Sequence, residues 1–140
     1  MFKITLEPRA AEKLESLGLL ILRVATGGLM MILHGWPKLM TYSAKASEFP
    51  DPLGVSPHVS LALVIFAEFF CSGLIVLGVS TRLAAIPAVI NMLVAVLVIH
   101  KHDPWSQKEH ALVYLIPFVT ILLTGPGAYT VTGLFSKKKA

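Results

Sequence analysis

The sequence predicts an all-α fold: an integral membrane bundle of four transmembrane helices with both termini in the cytoplasm. Composition is the first reason, since 55% of the 140 residues are hydrophobic and only 14% are charged, which is typical of a chain surrounded mostly by lipid. The second is that four apolar runs with short connections use almost the whole length and leave no room for a soluble catalytic domain. The third is the distribution of lysine and arginine around those runs.

The first two runs are long enough to cross a hydrocarbon core about 30 Å thick. One extends from about Leu17 to Trp36, and the other from about Val59 to Val79. Residues 1–16 mix both signs of charge with a proline, which is a poor match to a cleavable signal peptide. We therefore expect residues 1–16 to be a cytoplasmic N-terminal segment, and the first helix to remain in the mature protein.

The third and fourth runs are shorter. The third extends from about Leu83 to Ile99 and contains Pro87, which a membrane helix accommodates when neighbouring helices satisfy the freed carbonyl. The fourth begins near His110, and its purely apolar part is short before Gly125-Pro126-Gly127 ends it. Four antiparallel spans return the chain to the side on which it started.

Basic residues are more numerous on one side of the four runs than on the other. The richer side faces the cytoplasm in most membrane proteins, so we expect both termini to be cytoplasmic. The net charge of +4 lies mainly at the chain ends and indicates contact with lipid headgroups, with no nucleic acid as partner. We expect a transmembrane domain over residues 17–135 and a basic cytoplasmic tail over residues 136–140. The cytoplasmic side would carry Lys3, Arg9, Lys13, Arg82, Lys137, Lys138 and Lys139, and the outer side Lys38, Lys45, Lys101 and Lys108.

Two charged residues lie inside the predicted spans, where a charge costs about 2.5–3.5 kcal/mol on insertion scales. Arg23 and Glu68 should therefore face the interior of the bundle. Counted at about 1.5 Å per residue from the cytoplasmic ends of the helices, these residues and Asn91 lie at similar depths. We expect a buried Arg23–Glu68 pair with Asn91 as a hydrogen-bonding neighbour. Such a group could be a static clasp between helices, or it could handle protons or substrate directly.

All five histidines lie at the outer boundary in this topology. Imidazole titrates near physiological pH, so these residues could form a proton-active mouth; alternatively, polar residues simply collect where helices leave the membrane. We single out His34, Lys38 and Glu68 as candidate catalytic residues. We predict no metal site, because His100-Lys101-His102 is the only tight spacing and is not a diagnostic pattern. The further candidates at the mouth are His58, His100, His102, Glu109, His110 and Tyr114.

Several kinds of chemistry are excluded by the residue types present. Cys71 is the only cysteine, so the chain has neither an intramolecular disulfide nor a C-x-x-C redox pair. It also contains no catalytic triad, phosphate-binding loop or dinucleotide fingerprint. Any redox chemistry therefore needs a bound cofactor or a partner subunit.

Short motifs follow one another in a definite order along the four runs. They are Arg23 with Gly27, then His34-Gly35-x-x-Lys38-Leu39, then Glu68, then Leu77-Gly78-x-x-Thr81-Arg82, and finally Gly125-Pro126-Gly127. Over about residues 17–130 this order resembles the DoxX family of small membrane proteins of bacteria and archaea. The resemblance implies a multi-pass protein of the prokaryotic cytoplasmic (inner) membrane. Members often continue from Gly-Pro-Gly to a serine-leucine-aspartate ending. This chain departs from that ending and lacks the acid.

The resemblance implies a four-helix membrane bundle linked to quinone-dependent redox chemistry, because members are named for association with thiosulfate:quinone oxidoreductase. It suggests a quinone-linked membrane subunit of an oxidoreductase complex, with quinone as a non-covalent cofactor and a redox partner as the source of electrons. Two alternatives remain open. One is a non-catalytic membrane anchor or scaffold subunit, and the other is a small transporter or proton pathway. A homo-oligomer is compatible with each of them.

Overall fold

The structure, a computed structural model, describes the backbone of residues 7–137 and the side chains of residues 7–135. Residues 1–6, residues 138–140 and the side chains of Ser136 and Lys137 lie outside the described part, and with them Lys3 and most of the predicted basic tail. Within it every regular element is helical and no strand occurs, so the predicted all-α class is confirmed.

Three long helices are apolar enough to cross a membrane: α1 (Pro8–Met40), α2 (Pro57–Leu77) and α3 (Thr81–Ile99). The helix α4 (Trp105–Thr124) is also long, but its first turns carry Lys108, Glu109 and other polar residues. A short helix α5 (Val131–Lys137) follows. The chain is therefore a multi-pass membrane protein; the fourth span and the cytoplasmic position of the termini stay predictions.

α1 begins at Pro8, well before the predicted start at Leu17, and continues past Trp36. Proline suits the first position of a helix because its φ angle is already helical and its missing N–H would be unpaired there. The residues that follow it in the sequence, up to Ser16, are mostly exposed and polar, which is why composition alone does not mark them as part of the helix.

The four long helices form a closed bundle in which α1 packs against α2, α2 against α3, α3 against α4, and α4 against α1. Two glycines of α1 determine how it aligns with the antiparallel α2. A Cβ at Gly27 would lie 2.9 Å from the backbone oxygen of Ser72, and one at Gly35 would lie 2.7 Å from that of Glu68. Only glycine allows this close approach, and the contacts place Gly35 at the level of Glu68. The fully buried core includes Met30, Cys71, Ile75, Ala85, Phe118 and Ile121.

Each of α1, α2 and α3 contains one π-helical segment: Met31–Gly35, Phe66–Cys71 and Ala95–Ile99. Those of α1 and α3 lie toward the connection between α1 and α2, and that of α2 lies at the middle of its helix. Such segments insert one extra residue in a turn and are frequent at functional sites. The first contains His34 and the second contains Glu68, so both candidate residues project from locally widened turns.

Candidate functional site

Glu68 is the centre of a polar group that joins three helices. Its Oε2 accepts a hydrogen bond from Nζ of Lys38 on α1 at 2.5 Å, and its Oε1 accepts one from Nδ2 of Asn91 on α3 at 3.1 Å. The Glu68 side chain is 7% exposed and that of Lys38 is 30% exposed. A carboxylate this buried needs both a counter-charge and hydrogen-bond donors, and these two neighbours supply them.

Arg23 lies elsewhere, so the Arg23–Glu68 pair expected from the sequence is replaced by the Lys38–Glu68 pair. The Arg23 side chain is 2% exposed, and its Nη1 donates to the backbone oxygens of Ile75 at 3.2 Å and Val76 at 2.8 Å. These carbonyls belong to the last turn of α2, where internal donors run out, although that of Ile75 also accepts from the N–H of Gly78 at 3.1 Å. Arg23 therefore caps α2 and places a positive charge at the negative end of its dipole.

The predicted depths were wrong because the register between α1 and α2 was wrong. Depth was counted from Leu17, but close contacts at Gly27 and Gly35 align α1 so that Arg23 lies beside the last turn of α2. Arg23 is about 12 residues from Gly35, which corresponds to about 18 Å along a helix. No arginine side chain spans that distance to the level of Glu68.

A second arginine acts in the same way at the same end of the bundle. Nη2 of Arg82 donates to the backbone oxygens of Leu123 at 3.2 Å and Thr124 at 3.3 Å, in the last turn of α4. Its guanidinium lies against Gly125. We call this end, formed by residues 78–82 and 123–130 together with Arg23, the capped end.

The opposite end of the bundle contains a cavity of about 600 Å³. We call it the cavity end, formed by residues 30–68 and 87–114 that surround this space. Apolar side chains make most of the wall, among them Met30, Leu63, Val64, Ile90 and Val94. The sequence-predicted residues that the structure brings to the cavity are His34, Lys38, Glu68, Asn91, His100, His110 and Tyr114.

Two of the cavity's aromatic rings hold each other in place. The imidazole of His34 stands edge-on to the ring of Tyr114, with centroids 5.3 Å apart and planes at 83°. His110 precedes Tyr114 by one turn of α4 and lines the same wall. At the rim, Nδ1 of His100 lies 2.7 Å from Oδ2 of Asp103. Helices α1 and α4 thus present titratable side chains to the same space as Glu68.

Three predicted mouth residues do not reach this cavity. His58, in the first turn of α2, and His102, in the turn after α3, are both exposed. The backbone oxygen of His58 accepts a hydrogen bond from the hydroxyl of Tyr42 at 3.2 Å. Glu109 is exposed and lines a separate groove between α1 and α4. His110 and Tyr114 line both spaces and form the partition between them.

The roof of the cavity is a loop that sequence reasoning left without a role. Phe49, Pro50, Pro52 and Leu53 line the cavity from this side. The carboxylate of Asp51 holds the loop, because it accepts from the Oγ of Ser60 at 2.7 Å and from the backbone N–H groups of Ser56 at 2.9 Å and Val55 at 3.0 Å.

The hydrogen bond from Ser60, together with the bonds from the backbone N–H groups of Ser56, Val55 and Gly54, holds the pKa of Asp51 below its usual value. A signal for this contact was present in the sequence. Ser56 followed by Pro57 is typical of a helix start, and an aspartate shortly before it is a common loop acceptor.

Among the described residues, no group of three or more histidine, cysteine or acidic side chains is placed to hold a metal ion. The site is instead one buried ion pair with an amide neighbour, beside a largely apolar cavity. This arrangement suits an uncharged or weakly polar molecule with hydrogen-bonding groups at one end.

Apolar helices with an internal polar group and a cavity at membrane depth define the class as a small multi-pass membrane protein with a candidate ligand site. The sequence model of the family described as DoxX matches residues 18–101, a segment that spans most of α1 and all of α2 and α3. The chain belongs to the DoxX family, so the resemblance found from its motifs is confirmed. It is 31% identical over 134 residues to the inner membrane protein YqjF of Escherichia coli K12, covering 91% of this chain and 98% of that protein. No solved structure matches the chain.

Proposed function

We propose that this protein is a quinone-linked inner-membrane subunit of an oxidoreductase complex and that it binds a quinone headgroup in the cavity beside Lys38 and Glu68. The observation that carries the proposal is the position of this ion pair: its carboxylate is buried within an apolar helix, and both partners line a cavity of about 600 Å³. A charged pair that only held helices together would be better placed in closed packing.

The residues present fit a quinone headgroup. Sites for small ligands usually occupy about 300–1,000 Å³ and combine apolar walls with a few polar groups. Here the walls are aliphatic, and the polar groups are those of Lys38, Glu68, Asn91, His34 and Tyr114. A bound quinone would supply reversible two-electron, two-proton redox chemistry, which no side chain of this chain provides.

The roles of the chain's own residues follow from their contacts. The ammonium of Lys38 donates to a ligand oxygen, and Asn91 orients the Glu68 carboxylate through Oε1. His34 is held edge-on by Tyr114 and can give or take a proton at the ligand, since imidazole titrates near neutral pH. Electrons must come from a partner protein.

The topology that supports this function has α4 as a fourth span and both termini in the cytoplasm. α4 packs along α3 and returns to α1, which closes the bundle as a spanning helix would. The larger number of basic residues near the termini favours that side as cytoplasmic. The cavity would then lie in the outer half of the membrane, and the inner-membrane location is the one named for the Escherichia coli relative.

The proposal is tested by purifying the protein in native lipid nanodiscs and extracting the bound quinone for quantification. We expect about one quinone per protein, and at least a tenfold loss for Glu68→Gln and for His34→Ala at equal amounts of folded protein. Glu109→Gln is the matched control, because Glu109 is an exposed carboxylate outside the cavity. Wild-type protein that carries no quinone above the level of empty nanodiscs would refute the assignment.

A non-catalytic anchor or scaffold is the second candidate, since Glu68 joins α1, α2 and α3 and could serve folding alone. In that case Glu68→Gln lowers the yield of folded protein while the quinone content per folded molecule stays at the level of Glu109→Gln. The same nanodisc measurement therefore separates the two functions.

A further inference from the structure

We propose that the ligand of this cavity is an amphiphile with a long hydrocarbon tail, and that it enters sideways from the bilayer through a gap between α2 and α3. The inference rests on the proposed function only for the nature of the headgroup. The route and the tail are argued from the walls of the cavity.

The gap results from the way α2 packs. α3 contacts α2 along Phe66–Cys71 and Ser72–Leu77, the part nearer the capped end. The first turns of α2, Pro57–Ile65, pack instead against Ala46–Glu48 and the last turns of α1. The two helices therefore diverge from the level of Glu68 toward the cavity end.

The side chains at the gap face two environments. Leu63 and Phe66 on α2 and Ile90 on α3 all line the cavity, yet they are 49%, 50% and 54% exposed. A side chain that borders a cavity and is also half-exposed lies at the edge of an opening. At this depth the surroundings are hydrocarbon, so the opening leads into lipid and is itself apolar.

The roof loop blocks entry of a ligand from the aqueous side. Phe49, Pro50, Pro52 and Leu53 cover the cavity between the ion pair and the aqueous side. Asp51 accepts three hydrogen bonds that hold this loop, and the one from Ser60 joins it to α2. A water-soluble ligand would have to displace that loop. A lipid-soluble ligand does not.

The size of the cavity explains why a tail must leave it. About 600 Å³ accommodates a headgroup of ordinary small-molecule size, with Lys38, Glu68 and Asn91 at its inner end. A long tail does not fit in the same space. It can run out between Leu63 and Ile90 and remain dissolved in the bilayer, which avoids the cost of transferring it to water.

The test compares variants that narrow the gap with variants that do not. Leu63→Trp and Ile90→Trp fill the gap. The controls are Leu97→Trp, which is exposed on α3 but does not line the cavity, and Val113→Trp, which fills the separate groove between α1 and α4. Binding of decylubiquinone and of its tail-free benzoquinone headgroup is measured in nanodiscs, after elution profiles have shown that each variant is folded.

We expect the gap variants to lower decylubiquinone affinity about tenfold or more, and the controls to change it less than about twofold. The tail-free headgroup should bind more weakly than decylubiquinone to the wild type. Equal effects of Ile90→Trp and Val113→Trp, or equal affinity for the two probes, would overturn the lateral route even if quinone binds.

A second measurement uses the wild type alone and does not depend on variant folding. A C16 alcohol with a diazirine in its tail, which has no quinone head, is photoactivated in nanodiscs and the labelled peptides are identified. Labelling concentrated in Pro57–Phe66 and Pro87–Val94 supports the route. If the same labelling is found but no quinone binds, the route stands and only the assignment of the headgroup is refuted. Labelling spread evenly over all lipid-facing helices contradicts the route.

Discussion

The two ends of the bundle use buried charge in different ways. At the capped end, Arg23 donates to the backbone oxygens of Ile75 and Val76. At the cavity end, Lys38 pairs with the side chain of Glu68, which also faces a cavity. A backbone carbonyl cannot change its charge, so the first arrangement has one state. The carboxylate of Glu68 lines a cavity, so in the function proposed above it is the group that a ligand can reach.

The comparison also explains why the recognisable motifs fall into two groups. Gly78 in the Leu77-Gly78-x-x-Thr81-Arg82 segment has φ +74° and lies against Arg23, and Gly125 has φ +86° and lies against Arg82. Each arginine therefore caps a helix that ends at a glycine with positive φ. These motifs serve the fold, whereas His34, Lys38 and Glu68 are the motif residues that meet at the cavity.

The largest expected effect is on folding at the capped end. Arg23→Met removes two charge-assisted hydrogen bonds from a buried side chain, and of the two carbonyls only that of Ile75 keeps another donor, the N–H of Gly78. We therefore expect a loss of about 3 kcal/mol in the free energy of unfolding. Arg82→Met is the matched control: it removes the same kind of cap from an exposed side chain and should cost about 1 kcal/mol or less. Denaturant titration in detergent micelles gives both values. Equal losses would show that burial does not distinguish the two caps.

Gly78→Ala should disturb the same cap, because Gly78 lies against the guanidinium of Arg23. A Cβ at Gly78 would lie 2.6 Å from Nη1 of Arg23, and the φ of +74° adds about 1–2 kcal/mol of backbone strain for any L-residue. We expect about 2 kcal/mol of destabilisation with unchanged quinone content per folded molecule. Gly28→Ala, where a Cβ meets nothing within 4 Å, should be neutral or slightly stabilising. A loss of ligand with intact stability would contradict a purely structural role of Gly78.

At the cavity end the expected effect is on the ligand more than on the fold. Lys38→Met and Glu68→Gln each leave one partner of the pair without its counter-charge, and the double variant removes both charges. We expect the double variant to be at least as stable as either single variant, within about 1 kcal/mol of the wild type, and still at least tenfold weaker in decylubiquinone binding. Recovery of binding together with stability would indicate that the pair is only a clasp.

Most of the fold could be predicted from composition, because a run of about 20 apolar residues has few alternatives to a membrane helix. Three such runs are found as α1, α2 and α3. The cost of buried charge likewise predicts that Glu68 faces inward, and it does, with Asn91 as a neighbour. The prediction of the helices and the prediction that Glu68 faces inward each depend on one residue or one short segment. Such predictions can be made from a single sequence.

The partner of Glu68 could not be predicted, because it depends on the register between two helices. That register is governed by close backbone contacts at Gly27 and Gly35. Nothing in the hydropathy of the sequence marks either glycine. The roof loop was missed for a related reason: its role depends on packing over a cavity that exists only once α2 and α3 diverge.

The smallest expected effect concerns Asp51, which belongs to the cavity end but has a structural role like that of the caps. The hydrogen bond from Ser60 and those from backbone N–H groups lower its pKa, so the folded state binds this proton less readily than the unfolded chain. The stabilisation is therefore complete above the usual pKa of an aspartate, about 3.9, and is lost as the pH falls through the lower pKa of the folded state.

Asp51→Asn should reproduce that loss at neutral pH, because an amide is a weaker acceptor than a carboxylate and carries no charge. We expect hydrogen exchange to become several-fold faster in residues 49–56 and to stay unchanged in α4. The free energy of unfolding should change less than in Arg23→Met or Gly78→Ala, since Asp51 lies in a loop at the end of the bundle. Faster exchange confined to this loop, together with easier binding of the tail-free headgroup, would mean that Asp51 keeps the aqueous side of the cavity closed. Unchanged exchange would show that apolar packing of Phe49 and its neighbours holds the roof without the carboxylate.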